Sequence, residues 1–133
     1  MEETAQETGR LLHKDFTERI LRCAIEVHRE LGPGLMEGAY RRCLLGQLRQ
    51  EGLEVKQEVP VSITYKDHVI DLAYRADLIV EDAVLLELKA VDSLLPVHSA
   101  QVLTYLKFLN LRVGFLMNFN VTNLMKGVRC YRR

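Results

Sequence analysis

The stretch RADLIVEDAVLLELKAV (75–91) constrains the fold more than any other part of the chain. Two runs of mainly aliphatic residues flank a short polar turn, a pattern typical of a buried β-hairpin. Charges interrupt both runs: Asp77 lies in the first, and Glu87 and Lys89 lie in the second. A sheet that buries these strands must therefore also accommodate two acids and a base.

The register of this hairpin decides where its charges point. Residues i and i+2 of a strand share a face, so Glu87 and Lys89 lie together and their aliphatic neighbours fill the other face. A two-residue turn would pair Asp77 with Leu86 and direct its carboxylate away from Glu87. A three-residue loop, or a bulge, would place Asp77 opposite Glu87. We predict the second arrangement if the two acids act together.

Two facing carboxylates in a half-buried site repel each other unless a cation lies between them. Their hard oxygen atoms suit Mg²⁺ or Mn²⁺, and the carbonyl of Leu88 can add a further ligand. Lys89 would lie next to the attacking water or the phosphate, as in-line hydrolysis of a phosphodiester requires. The alternative is a structural ion pair, because Glu-x-Lys is common on solvated sheet faces and single short motifs are weak indicators.

Length and composition indicate one domain with a real core. The chain has 133 residues, of which 48% are hydrophobic, enough for a single folded unit. Eighteen basic and eighteen acidic residues cancel. This balance counts against nucleic-acid binding without excluding it. No apolar run approaches the ~20 residues of a membrane span, so we expect no membrane partner.

The compartment is predicted from the N-terminus and the cysteines. The first ten residues, MEETAQETGR, are polar and acidic, unlike a signal peptide. The three cysteines are odd in number and lack CxxC spacing. We therefore expect reduced thiols, no structural zinc site and a cytoplasmic location.

The chain is predicted to consist of a flexible leader over 1–14 and a single domain over 15–133. Apolar residues spaced by three and four predict a helix from Asp15, its N-cap, to Leu31. Further helices are predicted over 35–51 and 97–109. Strands are predicted at LEVKQEVPVSITY, VIDLAYRADLIV, AVLLELKAV, RVGFLMNF and GVRCYRR. The order ααβββαββ predicts an α/β fold, a mixed sheet flanked by helices.

Two helices carry polar residues that can join the hairpin charges. Glu37 lies near the start of the second helix, where a carboxylate can either complement the helix dipole or approach the site. In the third helix, His98, Gln101 and Tyr105 form a polar stripe. Such a stripe is either a solvent face or the wall of a cleft.

Taken together, these residues resemble the PD-(D/E)xK nuclease superfamily and, more closely, the family named for its GxxExxY motif, here Gly34, Glu37 and Tyr40. GPGLMEGAY, YRADLIV, LLELKAV and PVHSAQVLTYLK follow the family pattern in order. Gln101 and Tyr105 also match the QxxxY motif of RecB-like nucleases. In this chain AD replaces the PD of the superfamily.

The resemblance implies a restriction-endonuclease-like core and a set of roles. By the resemblance, metal ligands would be Glu37, Asp77 and Glu87, to which the Leu88 carbonyl considered above is added. Catalytic residues would be Asp77, Glu87, Lys89 and Gln101. Candidate substrate contacts are Tyr105, His98, Tyr40 and Arg75. The implied reaction is Mg²⁺- or Mn²⁺-dependent hydrolysis of nucleic acid, with DNA as the expected substrate, and a homodimer or protein partner can complete the assembly.

A non-catalytic module that binds nucleic acid or a protein is the second hypothesis. Zero net charge limits phosphate contacts, base-stacking aromatics are scarce, and tryptophan is absent. Arg41 and Arg42, with four basic residues near the C-terminus, form either a modest phosphate-binding rim or ordinary solvated charge. Metal binding distinguishes the two hypotheses.

Overall fold

Three helices and eight strands occupy the part of the chain that the computed structural model describes, residues 2–3, 14–71 and 74–133. The helices are α1 (Lys14–Leu31), α2 (Glu37–Gln50) and α3 (Pro96–Leu109). The strands are β1 (Glu2–Glu3), β2 (Val55–Pro60), β3 (Ile63–Tyr65), β4 (His68–Ile70), β5 (Arg75–Val80), β6 (Val84–Lys89), β7 (Val113–Asn118) and β8 (Val128–Arg132). A 3₁₀ turn at Leu124–Gly127 precedes β8.

The main sheet is mixed, with the strand order β1-β8-β7-β6-β5-β2. Only β6 and β7 pair in parallel, and α3 connects them. The other neighbouring strands pair antiparallel. Leaving aside the two-residue β1, the elements that build the main sheet and its flanks follow the predicted order ααβββαββ. The predicted α/β class, with a mixed sheet between helices, is confirmed.

The main sheet is buried on both faces, which explains why its central strands are nearly continuous aliphatic runs. Leu86 and Leu88 of β6 pack into a core with α1 and α2. Leu85, on the opposite face, packs into a second core with Val102 and Leu106 of α3. By alternation Glu87 and Lys89 share the face of Leu85. The α3 side of the sheet is therefore the side on which the hairpin charges lie.

Two predicted strands are each divided in the structure. LEVKQEVPVSITY forms β2 in the main sheet and β3 in a separate two-stranded sheet, and VIDLAYRADLIV forms β4 and β5. The division follows Pro60, which has no N–H to continue the ladder. The hairpin of β3 and β4 is thus an insertion between β2 and β5, and its turn lies at Lys66 and Asp67.

The helix start differs from the prediction for Asp15. Helix α1 is already helical at Lys14, the first residue described in this part of the chain, so Asp15 lies inside the helix and is not the N-cap. The acid still complements the helix dipole there. Residues 1 and 4–13 of the predicted leader lie outside the described residues, and Glu2–Glu3 pairs with β8.

Two expectations from composition can be compared with the structure. Within the described residues, Cys23, Cys43 and Cys130 form no disulfide bond. No helix within the described ranges combines the length and apolar character needed to cross a bilayer.

Candidate active site

The turn between β5 and β6 sets the register that the two acids require. The Ala83 N–H donates to the Val80 carbonyl at 3.0 Å, across Glu81 and Asp82. Both of these residues have positive φ, +54° and +50°, as in a type I′ turn. Pairing then resumes at Val80↔Val84, which leaves Ala83 as an extra residue. The predicted loop of three residues is confirmed, and this register brings Asp77 opposite Glu87.

At Asp77 and Glu87, hydrogen bonds to side chains replace the backbone hydrogen bonds between β5 and β6. The last paired positions are Leu78 and Leu86. Beyond them the Asp77 N–H donates to Glu87 Oε1 at 2.9 Å, and the Leu88 N–H donates to Asp77 Oδ2 at 2.8 Å. Each carboxylate thus accepts a hydrogen bond from the backbone of the other strand. The prediction that the two acids lie on the same side of the sheet is confirmed.

The strand on the other side of β5 is also irregular at this point. Pairing of β2 with β5 runs from Val55↔Val80 to Pro60↔Arg75 but skips Glu58 and Asp77. Glu58 has a φ of +48°, a left-handed conformation that is uncommon for a non-glycine residue. Asp77 is therefore placed where its strand departs from regular pairing on both sides.

Burial governs the electrostatics of the acid pair. Glu87 is only 2% exposed. Burial, followed by the charge of Asp77, raises its pKa to about 8. Burial also raises the pKa of Asp77, while the Leu88 N–H and the Lys89 ammonium oppose that rise. Two such carboxyls cannot both ionise at low cost, so the pair favours either a shared proton or a bound cation.

This electrostatic state predicts a pH-dependent stability without divalent cations. A Glu87 pKa of about 8 in the folded protein exceeds its value in the unfolded chain, about 4.3. The folded state then binds more protons between these values, so stability falls as pH rises. From pH 6 to pH 8 in EDTA, we expect the free energy of unfolding to decrease by about 2 kcal/mol more than in Glu87→Gln. Urea denaturation of both proteins measures this difference, and equal pH slopes would contradict the assigned environment.

Lys89 lies at the end of β6 on the face of Glu87 and is half-buried. Its positive charge lowers the pKa values of Glu87, Asp77 and Glu37, so it acts on all three acids. Its own carbonyl accepts a hydrogen bond from the Phe119 N–H at 2.8 Å. The backbone that carries Lys89 is therefore anchored to the segment that follows β7.

Asn118, which sequence reasoning missed, strengthens that anchor. It is 3% exposed at the end of β7, opposite Lys89 in the parallel register. Its side-chain amide donates to the Val91 carbonyl at 2.9 Å and accepts from the Val91 N–H at 3.1 Å. The signal was present in the sequence: Asn118 is the one amide in the apolar run VGFLMNF, and a buried amide requires partners.

Glu37 is the first residue of α2 and its side chain is exposed. Burial of part of the carboxyl raises its pKa, Lys89 lowers it and Asp77 raises it. Helix α2 therefore directs its first acid toward Asp77 and Lys89. We refer to Glu37, Asp77 and Glu87 together as the acidic cluster.

Arg41 lies one turn after Glu37 and adds a second positive charge to this region. Its charge lowers the pKa values of Glu37 and Asp77. One guanidinium nitrogen lies 3.4 Å from Glu58 Oε1. Its Nε is buried and has no hydrogen-bond partner among the described residues. Of the two arginines considered for a phosphate-binding rim, Arg41 faces the acidic cluster and Arg42 is exposed.

Tyr40 holds the turn that leads into α2. Its side chain is fully buried and stacks on Phe119, with ring centroids 4.7 Å apart. Its hydroxyl donates to the Gly32 carbonyl at 2.6 Å and accepts from the Leu35 N–H at 3.1 Å. Gly34, at φ +107°, supplies a conformation that side chains disfavour. These contacts leave no surface of Tyr40 for a ligand, so we assign it a structural role instead of the predicted substrate contact.

Helix α3 brings the QxxxY residues to the acid pair. Tyr105 is 4% exposed. Burial raises its pKa, and the charges of Glu87 and Asp77 add to the effect. Gln101 Nε2 donates to the Tyr105 hydroxyl at 3.2 Å. This part of the polar stripe therefore faces the acid pair.

The remaining predicted residues have less direct relations to the cluster. His98 Nδ1 accepts from the Leu95 N–H at 3.0 Å, a contact that caps α3. Arg75 is exposed at the start of β5, two residues before Asp77. The Leu88 N–H points toward β5, and in an extended strand the carbonyl of the same residue points the same way. Substrate contacts at His98 and Arg75, and a ligand role for Leu88, stay predictions.

The donor set can be tested against a hard divalent cation. Carboxylates of the acidic cluster and a carbonyl directed at the same gap are the oxygen donors that Mg²⁺ and Mn²⁺ prefer. Burial is the main cause of the raised pKa values of Asp77 and Glu87, and a bound cation would favour their ionised forms. Within residues 14–71 and 74–133, however, no three acidic, histidine or cysteine side chains stand close enough together to hold a metal. The donors fit in kind, and bringing three of them to one cation would require side-chain movement.

A polar surface depression lies elsewhere on the molecule. Its lining includes Arg49, Lys56 and Asp82, and none of the acidic cluster. Lys56 and Asp82 form an ion pair across it at 2.7 Å, with both side chains largely exposed. The depression makes no contribution to the candidate site.

Comparison with known proteins identifies the class to which this fold and site belong. A family model of the PD-(D/E)XK nuclease superfamily matches residues 14–131, which is most of the chain. The chain belongs to the PD-(D/E)XK nuclease superfamily. Searches of curated proteins and of solved structures gave no significant match.

Proposed function

We propose that this domain is a metal-dependent nuclease that hydrolyses phosphodiester bonds of DNA, and that it is a GxxExxY-type member of its superfamily. The observation that carries the proposal is the crossed hydrogen bonding of Asp77 and Glu87 where β5 and β6 separate, with Lys89 on the same face. A purely structural ion pair would not require two buried acids to face each other. The superfamily match over residues 14–131 supports the nuclease class.

The cation would be Mg²⁺ or Mn²⁺, held by Asp77, Glu87 and the Leu88 carbonyl, with Glu37 bound directly or through water. When bound, such a cation polarises the phosphate and makes water more acidic. Its positive charge would also replace the proton that the acid pair otherwise favours. The buried pair would then be fully ionised at neutral pH.

Residues of this chain would supply the remaining functions. Lys89 stabilises negative charge that develops on the phosphate, and its anchored backbone keeps the ammonium group in position. Gln101 and Tyr105 form the wall of the site on α3. Arg41, whose positive charge acts on Glu37 and Asp77, offers a second contact to phosphate oxygen atoms.

A non-catalytic module is the second candidate, and one observation favours it. The carboxylates of Asp77 and Glu87 already accept backbone hydrogen bonds, and the described residues contain no preformed group of three metal ligands. A protein that retained the fold but lost catalysis would keep such internal bonds. It would show neither metal binding nor cleavage.

Metal binding distinguishes the candidates, and we expect Mn²⁺ to raise the melting temperature of the protein. At about 100 times the Kd, a single site should raise it by about 5–10 °C. Glu87→Gln keeps the shape of the side chain but removes the charge, so its melting temperature should not respond. Differential scanning calorimetry at pH 7.5, with and without Mn²⁺, measures both effects.

Glu30→Gln is the matched control, because Glu30 is an exposed acid on α1 outside the acidic cluster. It should respond to Mn²⁺ like the parent protein. The same preparations are then incubated with single- and double-stranded DNA. A parent protein with no Mn²⁺ or Mg²⁺ response and no cleavage would exclude the nuclease and leave the binding module.

A further inference from the structure

Tyr74 presents an aromatic ring beside the candidate site. It lies just before β5, three residues from Asp77, and is 40% exposed. Its ring centroid is 6.5 Å from that of Tyr105, at an interplanar angle of 60°, within the range of tilted aromatic pairs. Its carbonyl accepts a hydrogen bond from the Val61 N–H at 2.9 Å. The ring is therefore exposed yet held in place by the backbone and by Tyr105.

Tyr105 connects this exposed ring to the acid pair. It belongs to α3, on the face of the sheet that carries Glu87. Its hydroxyl is bonded to Gln101, and the charges of Glu87 and Asp77 act on it. Tyr74 consequently stands one aromatic ring away from the acids, on the same side of the sheet. Aromatic residues that could stack on bases are scarce in the sequence, and the chain just before β5 brings one of them, Tyr74, beside Tyr105.

We propose that Tyr74 stacks on an unpaired nucleobase next to the scissile phosphate, and that the substrate is single-stranded nucleic acid. This inference rests on the proposed nuclease function. Every base has a π-face, so stacking tolerates any sequence, but the base must be free of a duplex stack. The net charge of the chain is zero, so phosphate contacts supply limited affinity. An uncharged contact such as stacking then supplies a larger share of the binding free energy.

Tyr65 offers a matched control on the same molecule. It is 60% exposed, more than Tyr74, but it lies on the hairpin of β3 and β4. Its ring is already covered by the Lys66 ammonium, 5.4 Å from the ring centroid. Exposure alone would make Tyr65 the better stacking residue, whereas position beside Tyr105 selects Tyr74.

Binding is tested apart from cleavage in the Glu87→Gln background, with a labelled single-stranded DNA of about 12 nucleotides. Fluorescence anisotropy should show that Tyr74→Ala weakens binding by about 5- to 100-fold. Tyr74→Phe and Tyr65→Ala should bind like the background protein. Tyr74→Leu, which keeps an apolar cover over Tyr105, should bind as weakly as Tyr74→Ala, because a π-face is required.

A double-mutant cycle, in which removal of one base is combined with removal of the Tyr74 ring, tests stacking specifically. A single abasic site is moved along the DNA, so that a base is lost while every phosphate stays. At one position, the abasic probe should bind the background protein, which retains Tyr74, more weakly than intact DNA does. In Tyr74→Ala the abasic site at that position should cause no further loss of affinity. The proposal would be overturned if the abasic site and Tyr74→Ala reduced the affinity additively at every position. Equal losses of affinity in Tyr74→Ala and Tyr65→Ala, or no measurable binding of the DNA, would also overturn it.

The outcomes separate this inference from the proposed function. DNA cleavage by the parent protein together with an additive cycle would retain the nuclease and remove the Tyr74 contact. A non-additive cycle without cleavage under any divalent ion would retain the contact and leave a module that binds single strands.

Discussion

Replacing Lys89 by alanine is expected to slow phosphodiester cleavage by about 10²–10³-fold, the usual cost of losing a charge-stabilising group. Its ammonium group acts on all three acids of the cluster, and its side chain lies outside the two apolar cores. The charge stabilises the transition state more than the bound substrate, so kcat should fall more than KM changes. Mn²⁺ binding should persist or tighten, because a nearby positive charge opposes the cation.

Single-turnover cleavage, Mn²⁺ titration and urea denaturation of the same variant test this expectation. Lys107→Ala is the control, because Lys107 is an exposed lysine on α3. In a purely structural ion pair Lys89 would mainly neutralise Glu87 or Asp77. Its removal would then destabilise the domain by roughly 3–5 kcal/mol. Such a loss, combined with an inactive parent protein, would keep the fold assignment and remove the enzyme.

Replacing Tyr40 by alanine is expected to destabilise the domain by about 3–5 kcal/mol, as for other large aromatic residues in cores. The variant loses a fully buried ring that stacks on Phe119. It also leaves the Gly32 carbonyl and the Leu35 N–H without their hydroxyl partner. Tyr40→Phe keeps the ring and should cost less, about 1–3 kcal/mol, for the unsatisfied backbone groups alone.

Urea denaturation measures both Tyr40 variants, and the difference between them separates packing from hydrogen bonding. A loosened turn before α2 should also move Glu37. Tyr40→Phe is therefore expected to weaken Mn²⁺ binding even though Tyr40 lies outside the acidic cluster. Equal stability of Tyr40→Phe and the parent protein would show that the hydroxyl does not hold the turn.

The order of the main elements could be predicted because it depends on local pattern. Spacings of three and four residues predicted α1, α2 and α3, and the aliphatic runs predicted β5, β6 and β7. The division after Pro60 could have been anticipated from the missing N–H. The helical conformation of Lys14, which rules out Asp15 as the N-cap, could not, because neighbouring residues compete for the cap position with small differences in free energy.

The candidate site was predicted less completely than the fold. Glu37, Asp77, Glu87, Lys89 and the QxxxY pair were selected from motifs, and the structure brings them to one region. Tyr40 is the tyrosine of the GxxExxY motif, but its role in the turn became visible only from its contacts with Gly32 and Leu35. Asn118, Arg41 and Tyr74 acquire their relation to the site through elements distant in sequence.

The sequence by itself determined which chemical groups are available and which strands and helices carry them. Alternation placed Glu87 and Lys89 on one face, because the side-chain period of a strand is two. The tertiary structure decided whether Asp77 joins them. That outcome depends on one extra residue, Ala83, after a turn whose two residues adopt positive φ, since a shift of one residue reverses the face. It also decided the environment of the acids, because burial between a sheet and α3 raises their pKa values and no local pattern encodes that desolvation.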